Sequence, residues 1–210
     1  MMYNFIAIEG TIGAGKTSLS AMLAAELNAR LILEQFEDND FLPKFYKDPA
    51  KYAFPLELSF LASRFQQLKN ELSVTDIFKP FTISDYFINK SLIFARKTLA
   101  DDEYALYARL FNIMNLSLPR PDLLVYLYVS VDQLKSNIAK RGRPYEQDIK
   151  HEYLENIQSG YFEYIRQQND MRIIIIDTNG IDFVNNHAHY ELIKELILAK
   201  YPVGVTTLTP

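Results

Sequence analysis

The chain contains no cysteine. That excludes disulfides, thiolate zinc sites, iron–sulfur clusters and a cysteine nucleophile, and it is compatible with a reducing compartment. Positive charge is not in excess either: 22 Lys and Arg stand against 26 Asp and Glu, a net charge of -4. A mildly acidic chain has no bulk attraction for nucleic acid or anionic lipid, so any anionic ligand must be held by a local site. No run approaches the roughly 20 apolar residues of a membrane span. The start, Met1 to Gly10, lacks the basic stretch and cleavage site of a secretory signal. These absences predict a cytoplasmic protein with no nucleic-acid or membrane partner. Internal repeats and low-complexity tracts are missing too. What remains is 210 residues, 49% hydrophobic and 23% charged, which is the balance of a folded domain rather than a disordered chain.

Short apolar runs alternate with longer amphipathic segments. The runs Phe5–Ile8, Leu31–Leu33, Phe81–Ser84, Leu123–Val129 and Arg172–Ile176 are nearly continuous, as strands covered on both faces should be. Helical spacing marks Ser18–Leu27, Leu56–Leu72, Leu92–Leu116, Val131–Lys140, Glu152–Gln168 and Tyr190–Lys200. The alternation predicts an α/β fold: a five-stranded parallel sheet with helices on both faces. One domain is expected over 1–202. The Pro-, Gly- and Thr-containing stretch after it, 203–210, is expected to be a frayed tail.

The strongest motif is Gly10-Thr11-Ile12-Gly13-Ala14-Gly15-Lys16-Thr17, which matches the phosphate-binding pattern G-x-x-x-x-G-K-[ST]. It follows an apolar run and opens a helical segment, the order in which backbone N–H groups and a helix N-terminus can wrap a polyphosphate. Lys16 is placed to reach the β- and γ-phosphates and Thr17 to ligate Mg²⁺. A guanine-reading Asn-Lys-x-Asp motif and a transporter-type signature are absent, which leaves a kinase acting on a small acceptor. Two acids fall just beyond expected strand ends: Glu34 after Leu31–Leu33, and Asp85 after Phe81–Ser84. At that rim a carboxylate can take the proton of an attacking hydroxyl or hold water on Mg²⁺. Arg141 and Arg143 flank Gly142 in a loop over about 140–150. This basic lid can close on the phosphates and supply bidentate donors.

With these residues in place the chain resembles the deoxynucleoside kinases over nearly its whole length. The resemblance rests on the phosphate loop, Glu34, Phe41-Leu42-Pro43-Lys44-Phe45-Tyr46, Glu57 with Arg64, Asp85-Tyr86, Pro121-Asp122 and Lys140-Arg141-Gly142-Arg143-Pro144-Tyr145-Glu146. It implies transfer of the ATP γ-phosphate to the 5′-hydroxyl of a deoxyribonucleoside, with Mg²⁺, by a homodimer. It further implies that Glu34 meets the 5′-hydroxyl as base, a role also open to Asp85, which lies near Mg²⁺. Tyr46 and Glu146 match the pair that binds the sugar 3′-hydroxyl. Arg141 and Arg143 match the lid arginines, and Asp182 and Phe183 match the loop that lines the adenine. Many members carry Arg after the rim acid of the third strand. This chain has Tyr86, which supplies no guanidinium, so at the substrate that phosphate contact is lost or moved. Glu57 and Asp85-Tyr86 together resemble the bacterial deoxyguanosine kinases.

The physics of Glu57 points the same way. Seven residues are about two helical turns, so Glu57 and Arg64 share a face. Guanine offers two donors, N1–H and its 2-amino group, beside one acceptor. A carboxylate accepts from both donors, while Arg64 can donate to O6 or N7. Adenine shows N1 as a lone pair, which a carboxylate repels. The expected activity is therefore phosphorylation of a purine deoxyribonucleoside, deoxyguanosine first. The rival readings are a deoxyadenosine or deoxycytidine kinase, a thymidylate-type monophosphate kinase and a regulatory ATPase. His187 and His189 have weak metal-ligand spacing and read as a solvated helix start.

Overall fold

A computed structural model describes residues 2–35, 39–74 and 76–210. The element order is β1 (Phe5–Gly10), α1 (Lys16–Glu26), β2 (Arg30–Ile32), α2 (Leu42–Lys47), α3 (Pro49–Leu72), β3 (Thr82–Ser84), α4 (Asn89–Thr98), α5 (Asp101–Asn115), β4 (Leu123–Tyr128) and α6 (Val131–Arg141). After a 3₁₀ turn at Pro144–Glu146 come α7 (His151–Arg166), β5 (Arg172–Asp177), α8 (His187–Leu198) and β6 (Gly204–Leu208). The strands form one parallel sheet in the order β2-β3-β1-β4-β5-β6.

The near-continuous apolar runs have the expected cause. On β1, Ile6 and Ile8 pack on one face with Leu19 and Leu23 of α1, Leu134 and Ile138 of α6, and Ile193 and Ile197 of α8. Phe5 and Ala7, pointing the other way, pack with Leu61 and Leu68 of α3, Tyr107 and Phe111 of α5, and Ile157 and Tyr161 of α7. Alternate residues of one strand thus feed two separate cores. A third, smaller cluster of Phe45, Ala53, Leu56 and Phe60 roofs the carboxyl end of the sheet.

Three expectations need correction. The sheet has six strands, because the supposed tail forms β6 and pairs with β5 from Arg172↔Gly204 to Ile176↔Leu208. Its Val205, Thr206 and Thr207 are β-branched and prefer extended backbone. The segment expected to be one helix over Leu92–Leu116 is two. Leu99 and Ala100 are extended (ψ 152° and 158°), and Asp101-Asp102-Glu103 restarts a helix with acids at its positive end. Finally, α3 begins at Pro49, seven residues before Leu56, and runs through Pro55. Asp48 caps it by accepting from the Lys51 N–H at 3.3 Å.

Candidate active site

The order β2-β3-β1 sets the carboxyl ends of three neighbouring strands side by side, and each delivers one part of the site. β1 runs into the phosphate loop. At its end Gly15 (φ +87°) is the N-cap of α1 and lends it no side-chain oxygen, so the first-turn N–H groups are left for an anion. Lys16 Nζ rests on the loop's own carbonyls, 2.8 Å from Gly10 O and 3.1 Å from Thr11 O. Burial and the charge of Lys90 bring its pKa down to about 8, against the pull of Glu9, Glu34 and Asp85. β3 delivers Asp85, whose carboxylate accepts from the Thr17 hydroxyl at 2.5 Å and from the Glu34 N–H at 2.8 Å. Thr17 and Asp85 thus form a pair of hard oxygen donors beside the phosphate loop. No group of three or more His, Cys, Asp or Glu is gathered for a metal among the described residues. That set suits Mg²⁺, which binds through one or two protein oxygens with phosphates and water completing its shell.

β2 delivers Glu34 into a cage of cations. Arg64 Nε and Nη2 each lie 2.7 Å from its Oε1, and Lys90 Nζ lies 2.5 Å from its Oε2. Burial alone would raise its pKa, but Lys90 and Arg64 outweigh it and hold the carboxyl at about 2. Glu34 is therefore an ionised acceptor at every ordinary pH.

These groups face one cleft of about 740 Å³, its open mouth included. Its walls bring together Ile12, Gly13, Lys16, Thr17, Glu34, Tyr46, Glu57, Arg64, Asp85, Arg141, Arg143 and Glu146, residues expected at one site from distant parts of the sequence. Phe45, Phe60, Phe94 and Tyr153 add an aromatic slot.

Glu57 is 2% exposed and lines this cleft. Its Oε1 accepts from the Thr98 hydroxyl at 3.1 Å, and its Oε2 has no hydrogen-bond partner among the described residues. Arg64 gives its ion pair to Glu34 and donates Nη1–H to Ser91 Oγ at 2.8 Å, so it does not neutralise Glu57 as a surface ion pair would. Burial pushes the Glu57 carboxyl up to about 7, opposed by the Arg64 charge and the Thr98 hydrogen bond.

The lid follows its sequence expectation at Gly142, which ends α6 in the left-handed conformation (φ +71°). Arg141 pairs with Glu146 Oε2, and Arg143 Nη1 lies 3.4 Å from Glu146 Oε1. Both arginines are thus turned to the wall where Tyr46 also stands. Burial raises the Tyr46 phenol, which keeps it a neutral hydroxyl.

Other sequence-predicted residues land elsewhere. Tyr86, expected at the substrate, is wholly buried behind β3 with its hydroxyl on Gln67 at 2.8 Å, and it does not line the cleft. Phe183 packs against Gly15, so the loop after β5 does abut the phosphate loop. Asp182 accepts from the Val184 and Asn185 N–H groups and acts as a turn residue. His189 Nδ1 accepts from the Asp182 N–H, and His187 is a largely exposed residue in the first turn of α8.

Sequence reasoning missed Lys90 and Thr98, both on α4, and Glu9; Ser91, also on α4, stands where many family members carry an acid opposite the base-reading helix. Glu9 is buried at the end of β1, where it accepts from Phe87 N–H at 2.7 Å and the Tyr161 hydroxyl at 2.8 Å. The available signals were chemical: a lysine just ahead of the apolar run Leu92–Ala95 and a glutamate inside an apolar strand.

A parallel sheet, a phosphate loop at the carboxyl end of its inner strand β1 and a cleft lined by an ionised carboxylate define a phosphotransferase for a small acceptor. The comparisons say which. Residues 6–201 match the family model for deoxynucleoside kinase, and the chain belongs to that family. It is 38% identical over 206 residues to the deoxyguanosine kinase of Bacillus subtilis (strain 168), across 92% of this chain and 98% of that one. It is 36% identical over 194 residues to the deoxyadenosine kinase of Dictyostelium discoideum, across 90% and 77%. Among solved structures, the deoxyadenosine kinase of M. mycoides with bound dATP superposes with a TM-score of 0.79 at 29% identity, covering 93% of this chain and 99% of that one. The same kinase with dCMP and a flexible dCDP gives 0.79 at 30%, covering 92% and 98%. The chain is thus a nucleoside-phosphorylating enzyme, and the six-stranded sheet is a small departure from the five strands expected.

Proposed function

We propose that this enzyme is an ATP-dependent kinase of purine deoxyribonucleosides whose preferred acceptor is deoxyguanosine. The observation that carries the preference is the buried carboxylate of Glu57, with one oxygen held by Thr98 and the other unpartnered in the cleft. An unpartnered buried acceptor is costly unless a ligand donates to it. Guanine supplies two adjacent donors, and Arg64 keeps Nη protons that can donate to its acceptor. The similarity to the Bacillus subtilis deoxyguanosine kinase supports this choice.

Glu34 accepts the hydrogen bond of the 5′-hydroxyl and its proton as the new P–O bond forms. A carboxylate with a low pKa suffices for this, because in a loose phosphoryl-transfer transition state the hydroxyl becomes acidic only late. Lys16, Arg141 and Arg143 stabilise charge on the phosphoryl oxygens, and the lid excludes water. The family resemblance puts Tyr46 and Glu146 on the 3′-hydroxyl, and both line the cleft. Thr17 and Asp85 are the residues that would hold Mg²⁺, which when bound offsets negative charge on the triphosphate.

Initial rates with ATP and Mg²⁺ over the four deoxynucleosides test this reading. Deoxyguanosine is expected to give the highest kcat/KM, and a preference for deoxycytidine or thymidine refutes it. Glu34→Gln is expected to lower kcat by about 10²–10⁴ with the nucleoside Kd little changed. If Asp85 were the base instead, Glu34→Gln would retain most of its turnover.

A further inference from the structure

We infer that Lys90 is a positioning residue for phosphoryl transfer: from the first turn of α4 it fixes the Glu34 carboxylate in the orientation that meets the acceptor oxygen.

Lys90 breaks two rules at once. Its side chain is 8% exposed, although lysine is almost never buried without a purpose. It also stands at the second residue of α4, where the helix N-terminus repels a cation. A residue placed against both burial and the helix dipole must be retained by something stronger, and its surroundings show what. Its ammonium sits 2.5 Å from Glu34 Oε2, while Arg64 takes the other oxygen. Its Nζ also lies 5.6 Å from the Phe94 ring centroid, a cation–π distance. It lines the cleft together with Lys16, Thr17 and Asp85. Tyr86, next to Asp85, offers no charge here and faces Gln67 instead. The rim of the cleft therefore draws a cation from α4, not from the residue that follows Asp85.

Charged groups near Lys90 include Glu9 of β1, Lys16 of α1, Glu34 after β2, Glu57 and Arg64 of α3, and Asp85 after β3; Tyr161 of α7 bonds Glu9 behind them. Without the Lys90 ammonium, Glu34 Oε2 loses its partner and the carboxylate is free to turn from the acceptor, while the residues that hold the base and sugar keep their places. kcat then falls and KM does not. That split separates the orienting of Glu34 from mere packing, which disturbs binding and turnover alike.

This inference rests on Glu34 acting at the acceptor hydroxyl, so the test runs Glu34→Gln beside it. The experiment measures kcat and KM for deoxyguanosine, with thermal melting, for the wild type, Lys90→Met and Lys90→Arg. Met keeps the apolar stem without the charge, and Arg keeps the charge. Lys90→Met is expected to lose at least tenfold in kcat with KM little changed. Lys90→Arg is expected to recover most of the rate. Three results overturn the inference: a Lys90→Met enzyme with wild-type kcat, a Lys90→Met enzyme whose loss lies in KM rather than kcat, or a Lys90→Arg enzyme as impaired as the Met variant. If Lys90→Met melts too low to assay, Lys90→Gln takes its place under the same criteria. A fully active Glu34→Gln enzyme would instead refute the role of Glu34 itself.

Discussion

Glu57 and Thr98 share one proton problem. The Thr98 hydroxyl lies 3.1 Å from Glu57 Oε1 and 2.9 Å from the Phe94 carbonyl, yet it has a single hydrogen to give. When Glu57 is ionised, that hydrogen goes to the carboxylate. When Glu57 is neutral, it can return to Phe94, and the carboxyl becomes a donor as well as an acceptor. The ionised form suits guanine; the neutral form can donate to adenine N1 and accept from its amino group. With Glu57 near 7, the ratio of kcat/KM for deoxyguanosine over deoxyadenosine should fall as pH drops from 8 to 6. Competition assays with both nucleosides across that range check this, and a flat ratio would show that Glu57 is not the reader. Glu57→Gln should lower the same ratio by about 5- to 150-fold at pH 8, the value of one bidentate base contact. It should also remove the pH dependence. Stability carries the opposite sign. A folded-state pKa raised above the unfolded 4.5 means stability is full below about pH 4.5 and is lost as pH rises through 7. Glu57→Gln should therefore melt higher than the wild type at pH 8, with the gap closing at pH 5.

Two glycines of the phosphate-binding elements make contrasting predictions. Gly15 has φ +87°, and a Cβ there would come 2.7 Å from Phe183 Cζ, a ring that is itself buried. Gly15→Ala should displace either the loop or that ring, raising the KM for ATP by at least about tenfold, a loss of ~1.4 kcal/mol. Gly142 has φ +71° with nothing within 4 Å of its added Cβ. Gly142→Ala should cost only the left-handed backbone term, about 1 kcal/mol, and lower Tm by about 2–4 °C. Steady-state kinetics and melting curves on both variants check the contrast. These elements were legible because their signals are local: eight residues spell the phosphate loop, and Gly142 stops a helix by its own chemistry. Glu34 and Asp85 were legible as acids at strand ends, and Glu57 with Arg64 as one helical face. Lys90 and Thr98 were not. They matter only because α4 packs against α3 and turns them toward Glu34 and Glu57, and no spacing within Asn89–Thr98 announces that neighbour. β6 was missed for the opposite reason. Its short Gly- and Pro-flanked stretch gains its strand character from the open edge of β5.

At the scale of the molecule, the two cores account for most apolar side chains, but α5 keeps a second apolar side. Its inner face buries Tyr107 and Phe111. Its outer face carries Leu106, 42% exposed, Ile113, 70% exposed, and Leu116 just past the helix end, 90% exposed, with half-buried Leu110 between them. Steps of four, three and three residues keep all four on one side of the helix axis. A stripe of this kind on a folded chain marks a contact surface. We propose that it seats the same stripe of a second copy, giving the homodimer that the family resemblance implied. A twofold axis makes such a patch complementary to itself. Light scattering behind gel filtration should show twice 24.4 kDa for the wild type at micromolar concentration. Ile113→Asp would bury two like charges across the axis and should shift the population to monomer, with Tm falling as the protein is diluted for the wild type but not for the variant. The cleft lies at the carboxyl ends of the strands and is lined by no residue of α5. The monomeric variant should therefore still bind nucleoside, provided it stays folded by circular dichroism. A wild-type chain that remains monomeric at these concentrations refutes the dimer and leaves the stripe unpaired.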